Sequence, residues 1–553
     1  MGVSRRDWRY YRARQRARGQ ARGRGRWRAE PRNAREAVEA LLEERLERRG
    51  FAAALEVEAG RAADAALERE AAGTAGATGG SPRRRDLTGL PTFTVDPATA
   101  RDFDDAVSAR REGDGARLWV HIADVAAHVA PGTPLDLEAR RRANSTYVPG
   151  AVEPMLPRAL SEEACSLAPG AERLAVTAEV ELGPGGEPRA ASFYRSRVRS
   201  AARLDYDELD LVFAGRAKPP GAVAEPLAVA RDAAAALGGR RGTTSLDVES
   251  FEPEFRFDAD GGVTSARAVA QTESHRLIER LMILANEQVA QLLERKRVPA
   301  VYRVHPQPDP ARVERLVEQL HALGVPTPPL RQGLAPSQAG EVAAEASRLV
   351  GPEAARRGHG REAYTSLVLR SLMQASYSDR NSGHAGLGSP AYCHFTSPIR
   401  RYPDLLVHRA LLATLGEGEA APRAAEAREV AWRSSERERE SAKIERDADD
   451  VCAAYLLERE LAERGAETEF EGEVSGVVRP GAFVAFGGEL GDVYEGFVPA
   501  RTLGGERFEL NEAETALVGA ESGAALRLGD PVSVRVGGVE APRGRVDLEV
   551  AGG

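Results

Sequence analysis

VDPATARDFDDAV, residues 95–107, places four carboxylates, Asp96, Asp102, Asp104 and Asp105, within ten residues. Asp102 and Asp104 are two apart, so in an extended segment both side chains leave the same face. Pro97 opens a turn that can fold Asp96 back beside them. Like charges packed this closely are unfavourable unless cations neutralise them. Hard divalent cations such as Mg²⁺ take all-oxygen ligands. Two such ions about 4 Å apart can stabilise both the attacking and the leaving oxygen of a phosphodiester displacement. On spacing alone a solvated acidic turn fits equally well, and the rest of the chain has to decide.

A second dense segment is HFTSPIRRYPDLLVHR, residues 394–409, where Pro398 precedes Arg400 and Arg401. Guanidinium groups clamp phosphates bidentately and keep their charge, so two arginines in a proline turn form a plausible phosphate anchor. A surface ion pair is the plainer alternative. His394 and His408 have no metal-ligand company and read as structural or phosphate-facing rather than catalytic. Glu279 lies in the apolar run RLIERLMIL, where a buried carboxylate needs a partner. Glu445 lies in SAKIERDADD, where a solvated helix face is an easy alternative. Tyr147 sits beside a Pro-Gly turn and can stack on a base or pack against its own loop.

A chain of 553 residues should hold more than one domain. No apolar run approaches the length of a membrane span, and no apolar stretch follows the N-terminal arginines as in a secretory signal. Cys165, Cys393 and Cys452 lie far apart and fit reduced thiols of a cytoplasmic protein. The net charge is −8, yet residues 1–34 hold twelve arginines against Asp7 and Glu30, a balance of +10 that leaves −18 on the remainder. A polyanion path through the body must therefore be a local basic channel.

Residues 1–32 read as an Arg/Gly-rich disordered tail, in which Trp8, Tyr10, Tyr11 and Trp27 could add base stacking to phosphate pairing. Residues 33–72 read as helical, opened by a capping box at Asn33 and Glu36, and 73–86 as a linker. From 87 to 465 the pattern predicts one large mixed α+β domain, with strands such as LWVHIADV (118–125) and LAVTAEVEL (174–182). Its helices include 274–295, 363–377 and the charged run 430–464. Residues 466–550 alternate short strands with Gly-rich turns, the signature of a five-stranded OB-type barrel. Phe483, Phe486, Tyr494 and Phe497 are its candidate stacking residues, with Phe483 foremost, although barrel interiors also need aromatics.

Six segments together resemble the ribonuclease II/R (RNB) family over roughly residues 87–550: TVDPATARDFDDAV, LWVHIADVAAHV, YVPGAVEPMLPRALSEEACSL, SHRLIERLMILAN, RSLMQASYSDRNSGHAGL and HFTSPIRRYPDLLVHR. The resemblance implies a processive 3′-to-5′ exoribonuclease that threads single-stranded RNA and releases nucleoside 5′-monophosphates, leaving a short oligonucleotide. It implies that Asp96, Asp102, Asp104 and Asp105 bind two Mg²⁺ ions, with Mn²⁺ possible, and that Asp104, Asp105, Arg400 and Glu445 are catalytic. Tyr147, Glu279, Arg400, Arg401 and Phe483 are the expected RNA contacts, and a monomer is expected. The terminal barrel is similar to an S1-type domain and, with its GERFELNEAETALVGAESGAALRLGD insert, closer to ribonuclease R than to ribonuclease II.

Four departures stand beside the match. The two cold-shock-type barrels usual ahead of the catalytic domain are replaced here by the tail and helices. Leu246 stands where a second stacking aromatic is expected, and Pro480, Pro499 and Arg501 replace residues that S1-type domains use toward RNA. A lysine-rich C-terminal tail is not seen. The competing expectation is an RNA-binding protein that keeps the RNB fold and has lost hydrolysis. Retention of all four carboxylates with Arg400 and Glu445 favours the enzyme.

Overall fold

The computed structural model describes residues 31–47, 49–75, 84–241, 252–331, 333–417, 419–487 and 493–551. The arginine-rich tail up to residue 30 and Leu246 lie outside the described residues. The fold is α+β.

Its centre is a seven-stranded sheet built from β1 (Arg85–Asp86), β2 (Phe93–Asp96), β3 (Asp105–Glu112), β4 (Gly115–Ala123), β7 (Glu172–Leu182), β8 (Pro188–Arg199) and β9 (Ala202–Asp205), in the order β1-β8-β7-β4-β3-β2-β9. β5 (Thr146–Val148) and β6 (Ala151–Glu153) form a separate small hairpin. The strands from β2 to β8 pair antiparallel, and β9 and β1 add parallel at the edges. From Trp119 onward β4 is buried on both faces, which explains its nearly unbroken apolar run.

One polar line crosses this interior. Thr92 and Ser108 share a hydroxyl hydrogen bond at 2.8 Å, Ser108 meets His121 Nε2 at 3.2 Å, and His121 Nδ1 meets Thr177 at 2.9 Å. Every member finds a partner, as a buried polar group must. Burial holds the His121 imidazole neutral, with its pKa lowered to about 3.

Helices cover the sheet. In Glu273–Lys296, Leu277, Leu281, Leu284, Ala285, Val289 and Leu293 recur at helical spacing and are buried against it. The helix read over 363–377 ends earlier, spanning Arg361–Ser371, because Ser376–Ser378 leaves to pair with the strand Tyr302–Val304. The longest helix among the described residues, Ala424–Arg464, runs from the core around the seven-stranded sheet to the C-terminal barrel.

That barrel closes in the order Glu469–Val478, Gly481–Phe486, Tyr494–Pro499, Arg545–Val550, Pro531–Glu540, with a three-stranded insert between Phe508 and Arg527. Strand alternation sends Ala482, Val484 and Phe486 into the core. Phe483 lies outside that set but is only 7% exposed, packed against Phe497 at 5.1 Å between ring centroids. Phe483 therefore offers no open stacking face here; Phe497, half-buried, is the outer ring of the pair. Phe486 and Tyr494 are buried core aromatics.

The N-terminal helix Ala34–Arg45 is capped by Asn33, whose side chain accepts the Glu36 N–H at 2.9 Å. Its apolar face joins the core shared by the long helix and the barrel. A second helix, Ala53–Ala75, runs three residues into the stretch read as a linker.

Candidate active site

The four aspartates are delivered by the end of β2, the start of β3 and the loop between them. Arg203 fixes the turn after Asp96 by donating to the carbonyls of Pro97 at 3.0 Å and Ala98 at 2.7 Å. The loop is pinned at Phe103, which is 6% exposed and donates its N–H to Ser166 Oγ at 3.0 Å. Asp104 is nearly fully buried, and its Oδ1 accepts the Ile399 N–H at 2.8 Å. Its Oδ2 lies 3.4 Å from Arg400 Nε. A contact across almost three hundred residues thus joins the two segments singled out in the sequence.

The turn carrying Arg400 is tied to the strand leading to Tyr147. Ser145 N–H donates to the Arg400 carbonyl at 3.0 Å and Tyr402 N–H to that of Ala143 at 2.8 Å. Tyr147 lies on β5, and the Pro149-Gly150 turn behind it needs the positive φ of +79° that Gly150 supplies. Its hydroxyl donates to Asp102 Oδ2 at 2.9 Å, and its N–H to Glu445 Oε1 at 2.9 Å. Asp102, Tyr147 and Glu445 therefore form one connected group.

Arg400 and Arg401 separate. Arg400 keeps 45% of its side chain exposed and braces on Ser397 Oγ at 3.1 Å. Arg401 donates to Asp404 Oδ1 at 2.7 Å, an oxygen that also takes the Ser397 N–H. Burial alone would lower the Arg401 pKa, but Asp404 outweighs it and holds the guanidinium above its ordinary value. Arg401, read as the second half of a phosphate clamp, braces the turn instead. His394, half-buried, meets the Tyr377 hydroxyl at 2.8 Å, and His408, fully buried, meets the Phe395 carbonyl at 2.8 Å. Glu279 is exposed rather than buried, because Leu277, Ile278 and Leu281 take the apolar face of its helix. Partial desolvation by the surrounding protein raises its pKa against the opposing pull of Arg280, Arg241 and Arg276.

Electrostatics single out the acids. Burial first, then Asp105 and Asp102, raises Asp96 to about 8. Burial raises Asp105 to about 6 against the pull of Arg400 and Arg401, and lifts Asp104 well above the carboxylate range. Without added positive charge these groups resist ionising together. Asp96 Oδ2 and Asp104 Oδ2 are buried and accept no hydrogen bond. Hard oxygens short of donors suit a divalent cation. Among the described residues no three His, Cys, Asp or Glu side chains are drawn together as a ready cage.

One neighbour escaped the sequence reading. Tyr206 follows Asp205, the register partner of Asp96 across β2 and β9, and stacks on His275 with centroids 4.0 Å apart. Burial, then Asp105 and Asp96, raises its hydroxyl pKa. The capping box Asp205–Glu208 marks a helix start in the sequence, but nothing local ties it to acids a hundred residues earlier.

A family model for the RNB domain matches residues 84–417, and one for the S1 RNA binding domain matches 464–551. The chain belongs to the RNB family. Ribonuclease R 1 of Lactococcus lactis is 34% identical over 482 residues, which cover 84% of this chain and 56% of the relative. Ribonuclease R of Aquifex aeolicus is 36% identical over 483 residues, covering 85% and 65%. The chain thus spans a little over half the length of the Lactococcus relative. Among solved structures, Mycoplasma genitalium RNase R in complex with ribose-methylated single-stranded RNA superimposes with a TM-score of 0.83 at 25% identity, covering 94% of this chain and 78% of that one. No helix among the described residues is long and apolar enough to cross a membrane.

Proposed function

We propose that this RNB protein is a 3′-to-5′ exoribonuclease that hydrolyses single-stranded RNA processively to nucleoside 5′-monophosphates and leaves a short oligonucleotide. The observation that carries the reading is the meeting of Asp104 with Ile399 and Arg400 beside an acid cluster that needs positive charge. Asp96, Asp102, Asp104 and Asp105 would hold two divalent cations, Mg²⁺ by donor type, which when bound supply charge neutralisation at the phosphate. Arg400, half exposed and already turned toward Asp104, is placed to offset charge that develops on the phosphate. Tyr147 holds its ring open at the edge of the site while its hydroxyl is fixed by Asp102, which suits stacking at the RNA terminus. The Mycoplasma relative was solved with single-stranded RNA, and RNA is the partner proposed here. The free, buried Cys165, Cys393 and Cys452 fit a reducing cytoplasm.

The alternative, an RNA-binding protein without hydrolysis, is disfavoured because the chain keeps Asp96, Asp102, Asp104, Asp105, Arg400 and Glu445. The test is a 5′-labelled single-stranded RNA incubated with wild type and with Asp104→Asn, with Mg²⁺ or with chelator. Metal-dependent collapse to one short labelled product, absent in the mutant, is expected. Tight binding without cleavage by wild type would overturn the enzyme reading in favour of the alternative.

A further inference from the structure

The β5–β6 hairpin has two faces. Tyr147 and its cross-strand partner Val152 are open, at 38% and 44% exposed, whereas the next pair, Thr146 and Glu153, turns the other way and is buried. Two strands of three residues are too short to hold a position by themselves, so what grips the buried face decides where Tyr147 sits.

Thr146 is held by Ser441 Oγ of the long helix at 2.9 Å, whereas much of the grip on Glu153 comes from residues ahead of the matched RNB range. Glu153 Oε1 accepts from Arg49 Nε at 2.7 Å, and Oε2 accepts the Gly50 N–H at 3.1 Å. Arg142 lies 3.9 Å from the same carboxylate, donates to the carbonyls of Gly50 and Pro154, and covers the Phe51 ring at 4.0 Å. On the other side Arg45 pairs with Asp447 at 3.1 Å, two residues along the long helix from Glu445. Glu445 in turn takes the Tyr147 N–H. Arg45, Arg49 and Gly50 therefore touch both elements from which Tyr147 and Glu445 enter the site.

We propose that this segment is a brace for the Tyr147 hairpin, with Arg49 and Glu153 as positioning residues that set the length of the final RNA product. The inference rests on the exonuclease reading. Charge-assisted hydrogen bonds to a buried carboxylate are strong and directional. Without Arg49, Glu153 keeps the Gly50 N–H and the more distant Arg142, and the hairpin gains freedom to tilt about its turn. A tilt at the buried face carries Tyr147 with it at the front, so the last nucleotides are held at a different depth. Asp104 and the Arg400 side chain are anchored apart from the hairpin, on the Ile399 N–H and Ser397 Oγ, and Asp102, which shares only the Tyr147 hydroxyl with the hairpin, stays in the loop pinned at Phe103.

The test compares limit products from a 5′-labelled single-stranded RNA for wild type, Arg49→Ala, Arg49→Lys and Glu153→Gln, with melting curves for each. Arg459→Ala, on the exposed part of the long helix, is the control. Arg49→Ala is expected to lengthen the limit product by at least one nucleotide or spread it over several bands, with internal steps still running at the wild-type rate. Arg49→Lys should restore a single band. If Arg49→Ala does not fold, Glu153→Gln decides, and wild-type product length in that variant overturns the brace. Cleavage by every variant to one common product sinks the brace alone. Absence of cleavage by wild type sinks the exonuclease reading and the brace with it.

Discussion

Arg400 turns Nε toward Asp104 with 45% of its side chain exposed, while Arg401, the next residue, is bound to the fully buried Asp404. The two substitutions should accordingly fail in different ways. Arg400→Ala is expected to lower kcat about 100-fold or more, the scale for removing one preorganised donor, with little change in melting temperature. Arg401→Ala leaves the Asp404 carboxylate buried without its cation, and breaking such a pair costs about 3–5 kcal/mol. Steady-state kinetics beside thermal melts separate the cases, and similar activity losses at unchanged stability would remove the distinction. The aspartates were legible in the sequence because they crowd ten residues. The split between the arginines was harder to read, because in a turn nothing in the spacing says which of two adjacent side chains faces inward. Asp404, three residues after Arg401, was the available hint. Glu279 misled for a related reason: an acid in an apolar run can be the one residue on the open face of its helix.

At the scale of elements, LWVHIADV was read as a strand over 118–125, but β4 ends at Ala123, and the polar residues of this stretch serve the fold rather than the chemistry. Asp124, just after β4, is fully buried between Arg84 at 2.7 Å and Arg195 at 2.9 Å, and caps the turn that follows. Burial raises its pKa, but Arg84 and then Arg195 outweigh that and hold it well below the carboxylate range. A carboxyl whose folded pKa is depressed contributes fully above its unfolded value of about 3.9 and loses that contribution as pH falls toward the folded value. Asp124→Asn strands two arginines and is expected to cost about 3–5 kcal/mol at neutral pH. Melting curves from pH 7 down to pH 3 should show the gap between wild type and mutant narrowing only below about pH 4. A gap that stays constant would mean Asp124 is not held ionised by this pair. No periodicity reveals such a partner, because Arg84 lies forty residues upstream and Arg195 seventy-one downstream. The barrel shows the same limit: alternation identified its strands, yet it could not say that Phe497 would cover Phe483.

At the scale of the molecule, the long helix joins two cores. Ala427, Val430 and Ala431 belong to the core around the seven-stranded sheet. Ile444, Ala448, Val451, Cys452, Leu456 and Leu457 belong to a second core shared by the N-terminal helix, Leu316 and Tyr364 of neighbouring helices, and the barrel. A composition shift near residue 466 marked the barrel as a separate module, and composition carries no information about a shared core. Across the seam Gly360 N–H donates to Glu473 Oε2 at 2.6 Å, and Gln319 Nε2 to the Ala513 carbonyl at 3.0 Å. A tight point is Gly529, at φ +84°, where an added Cβ would sit 2.9 Å from the Tyr364 ring and 3.0 Å from Gly360 Cα. Both the backbone strain and the overlap oppose a side chain there. Gly529→Ala is expected to cost about 1–3 kcal/mol, and the place to read it is outside the barrel. Residues 466–553 contain no tryptophan, whereas Trp119 is buried in the central sheet. If the two cores unfold together, the barrel substitution lowers the midpoint of the tryptophan-fluorescence transition by the same amount as that of the far-ultraviolet circular dichroism. If the barrel is an independent bead, the fluorescence midpoint stays at the wild-type value while circular dichroism alone shifts. The shared core argues for the first, since Phe470, Val484 and Leu548 of the barrel pack in one cluster with Val451 and Leu457 of the helix that carries Glu445.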